Sequence, residues 1–333
     1  MQLLKYTSRR TIGIAAAVIT VTIWTGFIII ARAMSHRTLT PFDIAFVRMI
    51  GAGLIMLPWG WWWVRNQAKA RVGADTQPSR GWLGLSPYPW KLTATIGVPA
   101  ALMYAVFVYS GFMYAPAAHG SVLLPGMLPL WTTLLALVII GTPISGKRWF
   151  GLGLIVTGGL LVGGSSLLRA FDGGDIWKGD LLFLAASFSW SYYTVMTRKH
   201  GLAAIPATIA ICVFAVFTFV PMYVALAFTG VIVSHLREAP WSEILFQALV
   251  QGVGSVVISG ITFVRMVETF GPIRSTMITA VVPSLSALGA VFFLGEPLYW
   301  NLLLGLALAT VGIVFGVRSV TPVASSAIPA ARY

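Results

Sequence analysis

The sequence predicts an all-α polytopic membrane protein with ten transmembrane helices, arranged as two inverted repeats of five helices. Three observations lead to this fold: the composition, a duplicated pattern and the distribution of positive charge. Of the 333 residues, 58% are hydrophobic and only 9% are charged, whereas about a quarter of the residues in a soluble domain are charged. A chain of this composition is expected to place most of its apolar surface in a lipid bilayer.

A segment in the middle of the chain recurs near its C-terminus. The stretch that begins at Pro129 contains an apolar run, a GxP turn at Gly141 and a glycine-spaced apolar run, and the same order starts 154 residues later at Pro283, with its turn at Gly295. The duplication continues upstream in the pairs Trp24 and Trp190, Arg32 and Arg198, and Pro41 and Pro206. We therefore divide the chain into two related halves, residues 1–168 and 169–333.

Ten apolar runs approach the length of about 20 residues that a spanning helix needs. They are Ile12–Met34, Pro41–Trp63, Leu92–Ala115, Ala117–Ile140, Trp149–Leu168, Gly179–Arg198, Pro206–Thr229, Ile244–Val267, Pro272–Leu294 and Tyr299–Val317. Proline opens the second, seventh and ninth runs, where its fixed φ and missing N–H suit a first helical turn. The first run has no small-residue cleavage site, so we expect a retained helix rather than a signal peptide.

Lysine and arginine lie mainly in the connectors that would face one side of the membrane. With the N-terminus inside, sixteen of them lie on the cytoplasmic side and five on the outer side. The positive-inside rule then places both termini in the cytoplasm, as an even number of helices requires. Because each half holds an odd number of helices, the second half is inverted relative to the first. The net charge of +13 is therefore a topology signal and not a nucleic-acid-binding surface.

Several of these features also carry a family resemblance. Trp24 lies in the middle of the first helix, Pro41 and Arg48 lie in the second, Tyr114–Ala118 reads YAPAA, and two similar P…G…P…G…G endings follow. Together they resemble the drug/metabolite transporter superfamily of the EamA type, over nearly the whole chain. The resemblance implies a secondary transporter of small metabolites that works by alternating access. The nearest functional neighbours that we suggest are the YddG-type exporters of aromatic and other neutral amino acids and of methyl viologen.

The first half departs from the family ending. Thr142 follows Gly141, whereas Glu296 follows Gly295 in the second half. A role shared by two such carboxylates is therefore in doubt, and the role of Glu296 is left open.

Substrate in an inverted-repeat transporter binds near the bilayer midplane, so polar and aromatic residues halfway along the helices are the candidate contacts. They are Trp24 and Thr25 in the first helix, Tyr104 in the third, Trp190 and Tyr193 in the sixth, and Gln251 and Ser255 in the eighth. Aromatic faces with a few hydroxyl and amide groups suit an apolar or aromatic metabolite, or a cation. The alternative for each aromatic residue is packing in the core or against lipid, and the duplicated Trp24 and Trp190 are the favoured pair to flank one cavity.

Arg48 and His119 are candidates with open alternatives. Arg48 lies seven residues inside the second helix, where an unpaired arginine costs several kcal/mol, so it should face the protein interior or water. It is either a contact for a substrate carboxylate or a structural donor to backbone carbonyls. We favour the structural role, because the equivalent place in the second half holds only Cys212 or Val213. His119, near the outer end of the fourth helix, is a gate or, as we favour, a hydrogen-bonded structural residue.

Three prolines and two sets of glycines affect the shape and the packing of the helices. Pro125 and Pro129 in the fourth helix and Pro283 in the ninth interrupt the hydrogen-bond ladder inside the membrane, so they are candidate hinges, with static kinks as the alternative. Glycines spaced along the fifth and tenth helices predict close packing of that pair, which the family resemblance makes a scaffold. Arg265 and Glu268, three residues apart, are predicted to form an ion pair.

Enzyme signatures are weak in this chain. The segment Gly141–Lys147 nearly matches a phosphate loop, but Arg148 replaces the required Ser or Thr and no strand precedes it. The four histidines are too scattered to indicate a metal site, and no cofactor is expected.

We therefore predict a non-enzymatic, monomeric transporter of the inner membrane, with a small-molecule substrate and the lipid bilayer as partners and no nucleic acid. A channel-like facilitator, a nucleotide-sugar or drug exporter of the same fold and a membrane-embedded enzyme are the alternatives, the enzyme being disfavoured. The sequence shows no carboxylate at the midpoint of a helix, so facilitated export without proton coupling is the simplest hypothesis.

Overall fold

The computed structural model describes residues 2–70, 81–168 and 173–318, apart from the side chains of residues 2–9, 67–70, 165–167, 271–274, 276, 277 and 316–318. Every regular element in these ranges is helical. The principal helices are α1 Gln2–Met34, α2 Pro41–Ala70, α3 Trp90–Tyr114, α4 Ala117–Ile140, α5 Gly146–Leu168, α6 Ile176–Lys199, α7 Ala204–Phe228, α8 over residues 241–279, α9 Val282–Leu294 and α10 Trp300–Arg318. The predicted boundary between the halves and the C-terminal tail lie outside the described residues.

The helices have the length and composition of a multi-pass membrane protein. Six described segments are long and apolar enough to cross a membrane: Arg10–Met34, Pro41–Asn66, Trp90–Tyr114, Ala117–Ile140, Ala204–Phe228 and Trp241–Phe270. Val282–Leu294 and Trp300–Phe315 are shorter apolar helices. The predicted all-α polytopic class is therefore confirmed, and the number of ten spans in two inverted halves stays a prediction.

The boundary between α8 and α9 differs from the predicted one. The sequence predicted that one helix ends at Val267 and the next begins at Pro272, whereas the backbone is helical over Ser259–Thr279 and α9 begins at Val282. Proline removes only its own N–H from the helical ladder, so it marks a helix boundary often but not always. The neighbouring residues keep helical conformation here.

Three helices contain π-helical turns, in which the chain is wound more loosely than in an α-helix. These turns are Val98–Met103 in α3, Ala215–Phe219 in α7 and Ala248–Ile258 in α8. An offset of 154 residues, the one that relates the duplicated endings, places the π turn of α3 within that of α8. Such turns are frequent at functional sites.

The proline candidates lie at real interruptions. Pro125 lies in a turn over residues 124–127 that divides α4 into Ala117–Leu123 and Leu128–Ile140. Pro129 then lies in the first turn of the second part of α4, and Pro283 lies in the first turn of α9. The structure thus contains the breaks, and movement about them stays a prediction.

The two GxP turns close in the same way, as the duplication predicted. Gly141 and Gly295 have φ of 75° and 67°, in the left-handed region that a residue without a Cβ adopts readily. The next amides turn back to the ends of α4 and α9, because Thr142 N donates to Ala136 O over 3.2 Å and Glu296 N donates to Ala290 O over 3.3 Å. This pattern is a Schellman-type C-terminal cap.

The predicted packing of α5 against α10 is confirmed. A Cβ on Gly158 would lie 2.5 Å from the Gly305 carbonyl oxygen, and one on Gly312 would lie 2.6 Å from the Gly151 carbonyl oxygen. The two backbones touch because neither helix carries side chains at these positions. Not every predicted glycine takes part, since a Cβ on Gly164 would meet nothing within 4 Å.

Candidate functional site

Arg48 is the centre of the polar cluster inside the helical bundle. Ile44, Arg48, Ala52 and Met56 recur every four residues, so they lie along one side of α2, and all four are buried. Arg48 is 5% exposed, and its Nη1 donates to the hydroxyl of Tyr109 on α3 over 3.1 Å and to Oγ of Ser255 on α8 over 3.4 Å. Its Nε is buried and has no hydrogen-bond partner among the described residues. Arg48 therefore bonds to hydroxyl groups rather than to the backbone carbonyls that the favoured structural role required.

A stripe of polar residues on α8 runs beside Arg48. Gln247, Gln251 and Ser255 are spaced four residues apart, and both glutamines are 0% exposed. Neither amide group of the two glutamines has a hydrogen-bond partner in the described part of the chain. A Cβ on Gly252 would lie 2.8 Å from the Arg48 carbonyl oxygen, so the backbones of α2 and α8 touch at this level. Gln247 was not predicted, although its spacing from Gln251 was a readable signal.

Three of the predicted aromatic residues meet on the other side of this cluster. The ring centroids of Tyr104 and Trp190 are 4.8 Å apart, and those of Trp190 and Tyr193 are 5.1 Å apart. Tyr104 lies on α3, the helix that also carries Tyr109, a hydrogen-bond partner of Arg48. The aromatic cluster and Arg48 are thus connected through α3, and ring faces with a guanidinium suit a ring that bears a polar group.

Trp24 and Thr25 lie elsewhere on α1. The Trp24 ring stacks on Phe263 of α8, with centroids 5.3 Å apart and planes at 24°. None of the ring contacts among the described residues joins Trp24 to Trp190. Thr25 Oγ1 is buried and has no hydrogen-bond partner in the same part of the chain. The shared cavity between the two tryptophans stays a prediction.

His119 is paired with a carboxylate that the sequence reasoning did not single out. Its Nδ1 lies 2.8 Å from Oδ1 of Asp180, and the two side chains are 13% and 6% exposed. The pair ties the beginning of α4 to the beginning of α6. A hydrogen-bonded histidine is what the favoured structural role described, and the only signal for its partner was an aspartate at the edge of an apolar run.

Glu296, which follows the C-terminal end of α9, connects this helix with α1 and α4. Its Oε1 lies 3.1 Å from Arg32 Nε of α1, and its two oxygens accept the amides of Ala117 and Ala118 over 3.0 and 3.2 Å. Arg32 Nη1 also donates to the Phe112 carbonyl oxygen of α3 over 2.7 Å. Glu296 thus neutralises Arg32 and caps the positively polarised N-terminus of α4. This contact supplies the role that the sequence left open.

Asp43 is the centre of a second set of hydrogen bonds between distant parts of the chain, which the sequence did not lead us to predict. It is 0% exposed and accepts hydrogen bonds from the Tyr223 hydroxyl of α7 and from the amides of Thr40 and His235, over 2.9 and 3.0 Å for the two amides. The Thr40 Oγ1 in turn accepts a hydrogen bond from the Asp43 amide over 3.2 Å, which caps the start of α2.

The predicted ion pair of Arg265 and Glu268 is confirmed, since Arg265 Nη1 lies 2.9 Å from Glu268 Oε2.

The residues that the structure describes contain no group of three or more His, Cys, Asp or Glu side chains that could hold a metal ion. The groups around Arg48 that could contact a ligand are its guanidinium, the amides of Gln247 and Gln251, the hydroxyls of Tyr109 and Ser255 and aromatic faces.

The sequence profile of the EamA-like transporter family matches residues 11–164 and 177–318. The chain belongs to the EamA-like transporter family. The resemblance to the drug/metabolite transporter superfamily is thereby confirmed. This EamA-like protein is accordingly a multi-pass membrane protein of the drug/metabolite transporter superfamily.

Two individual proteins are also similar to this chain. An uncharacterized transporter of Archaeoglobus fulgidus is 26% identical over 203 residues, which cover 60% of this EamA-like chain and 62% of that protein. A crystal structure of a protein of unstated function matches 93% of this chain and 97% of its own, with a TM-score of 0.55 and 17% identity. At that identity the second similarity shows the fold alone.

Proposed function

We propose that this EamA-like protein exports aromatic or other neutral amino acids, or closely related compounds, across the inner membrane by alternating access. The observation that carries the proposal is the aromatic cluster of Tyr104, Trp190 and Tyr193 on α3 and α6, together with the buried Arg48, which bonds to α3. Aromatic rings bind the face of a substrate ring or a cation, and a guanidinium binds an anionic or strongly polar group. An amphipathic metabolite of amino-acid size combines these features.

Alternating access requires two halves that exchange roles. Three observations support inverted halves: the family profile matches two separate ranges, the GxP turns of α4 and α9 close alike, and α3 and α8 carry π turns at corresponding positions. With five helices in each half, both termini face the cytoplasm and the substrate site lies between the halves. We propose a monomer, because one chain then supplies both halves.

Reconstitution in liposomes tests the proposal. Purified protein in vesicles preloaded with unlabelled L-phenylalanine should accumulate labelled L-phenylalanine transiently, because a carrier exchanges internal for external substrate. Flux should saturate with concentration and exceed that of empty vesicles. Flux that rises linearly without saturation and without stimulation by internal substrate would favour the channel-like facilitator. Exchange of nucleotide sugars or drugs but not of amino acids would favour the other exporters of this fold.

A matched variant connects the flux to the aromatic cluster. Trp190→Phe keeps an apolar ring but removes the indole, and Trp149→Phe makes the same change at a side chain that is 52% exposed. We expect a higher half-saturating concentration for Trp190→Phe and no change for Trp149→Phe. Equal kinetics of both variants would remove the support that the cluster gives to the proposal.

A further inference from the structure

We propose that Arg48 and Gln251 form a subsite for a carboxylate, so that the transported compounds carry a carboxylate next to an aromatic or other apolar group. This inference rests on the proposed function and names the substrate class of the same site. It is based on two observations in the described part of the chain. Arg48 has no carboxylate partner there, and buried polar atoms of Arg48 and Gln251 have no hydrogen-bond partner there.

No carboxylate among the described residues forms an ion pair or a hydrogen bond with Arg48. An arginine side chain stays protonated in proteins, and its burial costs several kcal/mol unless an anion accompanies it. The groups that Arg48 contacts are the hydroxyls of Tyr109 and Ser255 and the ring of Phe27, whose centroid lies 5.4 Å from the guanidinium carbon. All three are neutral.

Asp43 and Asp180, which are buried, and Glu296, which is half-buried, are bonded to other partners. Asp43 bonds to Tyr223, Asp180 to His119 and Glu296 to Arg32. None of these three supplies a counter-ion to Arg48. A ligand with a negative charge would therefore gain the attraction that the protein leaves unused, in an interior where charges are weakly screened.

The hydrogen-bond balance points to the same place. Arg48 Nε is a buried donor with no hydrogen-bond partner among the described residues. The side-chain nitrogen and oxygen of Gln251 are also buried and also lack a hydrogen-bond partner among these residues. Buried polar groups of this kind are rare in folded proteins and are usually matched by a ligand or by water. Gln251 precedes Ser255, a partner of Arg48, by four residues, and the next residue, Gly252, touches the Arg48 backbone. A carboxylate has two oxygens and can accept from both donors at once.

The neighbouring groups limit the rest of the ligand. The Phe27 ring lies at the guanidinium of Arg48, and Tyr104 contacts Trp190 on α3, the helix to which Arg48 bonds, so an apolar or aromatic group attached to the carboxylate would meet ring faces. The amide oxygens of Gln247 and Gln251 could accept from an ammonium group, so an amino acid fits as well as a simple acid.

Four probes of similar size distinguish the contribution of the carboxylate from those of the ammonium group and the aromatic ring. Binding of 3-phenylpropionate, 3-phenylpropanamide, L-phenylalanine and phenethylamine to the purified full-length protein would be measured by calorimetry, with the thermal midpoint as a second readout. We expect the two compounds with a carboxylate to bind about tenfold to a hundredfold more tightly than the amide and the amine, because a hydrogen bond to a charged group is stronger than one to a neutral group.

Variants assign the effect to residues. Arg48→Gln should reduce the affinity for 3-phenylpropionate to that for 3-phenylpropanamide, and Gln251→Leu should weaken 3-phenylpropionate about fivefold to tenfold. Arg37→Gln is the matched control, because Arg37 is exposed in the connector between α1 and α2. The comparison of acid with amide on the unchanged protein does not depend on the folding of any variant.

The outcomes are distinguishable. Equal affinity for the acid and the amide would overturn the carboxylate subsite and leave the proposed transport of aromatic compounds standing. Selectivity for the acid that survives in Arg48→Gln would overturn the role of Arg48. Absence of binding and of flux for all four probes would overturn the proposed function together with this inference.

Discussion

The contact around Glu296 allows a prediction whose size can be worked from the structure. Glu296→Gln keeps the shape of the side chain but removes its charge. Glu296 and Arg32 are 11% and 22% exposed, so the pair is partly shielded from solvent, and the carboxylate also accepts two backbone amides of α4. Loss of one partner from a buried ion pair costs about 3–5 kcal/mol, and partial exposure reduces this figure. We expect a loss of about 2–4 kcal/mol of stability.

The chain provides a matched control for this substitution. Glu268→Gln removes the same charge from a pair of similar length, 2.9 Å, whose side chains are 61% and 55% exposed. An exposed pair of this kind contributes about 0.5 kcal/mol or less, because solvent and salt screen it. Thermal unfolding of the two variants in the same detergent should therefore show a clearly lower midpoint for Glu296→Gln only.

A double substitution tests whether the effect comes from the pair. If Arg32 and Glu296 act through each other, Arg32→Gln combined with Glu296→Gln should cost less than the sum of the two single changes. Equal midpoints for Glu296→Gln and Glu268→Gln, or strict additivity of the Arg32 and Glu296 changes, would refute the reasoning.

Three further predictions follow from the structure and the sequence. Asp43→Asn should lower the unfolding midpoint, because the buried carboxylate accepts three hydrogen bonds, at a cost of about 1–3 kcal/mol, while Asp175→Asn at a 60% exposed side chain should leave the midpoint unchanged. Trp190→Phe should weaken substrate binding about fivefold to thirtyfold, measured by calorimetry, whereas unchanged affinity would make Trp190 a packing residue. Uptake into sealed liposomes should proceed without an imposed pH or sodium gradient, and proton-driven accumulation would direct attention to His119 and Asp180.

Local patterns in the sequence predicted the parts of this structure that depend on neighbours along the chain. The GxP turns follow from the freedom of glycine to adopt positive φ, and the pair of Arg265 and Glu268 follows from the helical repeat. Close packing of α5 and α10 could be read from glycine spacing, since only small residues let helices approach in a membrane.

The contacts between residues far apart in the sequence could not be predicted from local patterns. Asp43 and Tyr223 are 180 residues apart, and Glu296 and Arg32 are 264 residues apart, so their pairing depends on how the helices are arranged. Arg48 was correctly expected inside the bundle, but its partners on α3 and α8 became visible only with the fold. The π turns carry no clear residue signature, because they arise from packing rather than from propensity.

The two ends of the bundle differ in charge in a way that bears on transport. Under the proposed inverted arrangement, the counterpart of Glu296 is Thr142 and that of Arg32 is Arg198. Thr142 has no charge to offer, Arg198 is exposed, and Arg148 nearby lies within range of the Arg198 charge. One end thus has an ion pair with a capped helix, whereas the other has two like charges.

If the two halves are inverted repeats that exchange roles, as we propose, these end contacts would favour one of the two resulting states over the other. If the other state breaks the Glu296 contacts at a cost of about 2 kcal/mol, the state in which they are intact would be preferred roughly thirtyfold. A substrate can offset this preference only by binding more tightly to the other state. Weakening the Glu296 contacts would then lower the stability of the protein and, at the same time, reduce the differential binding that substrate must supply for turnover.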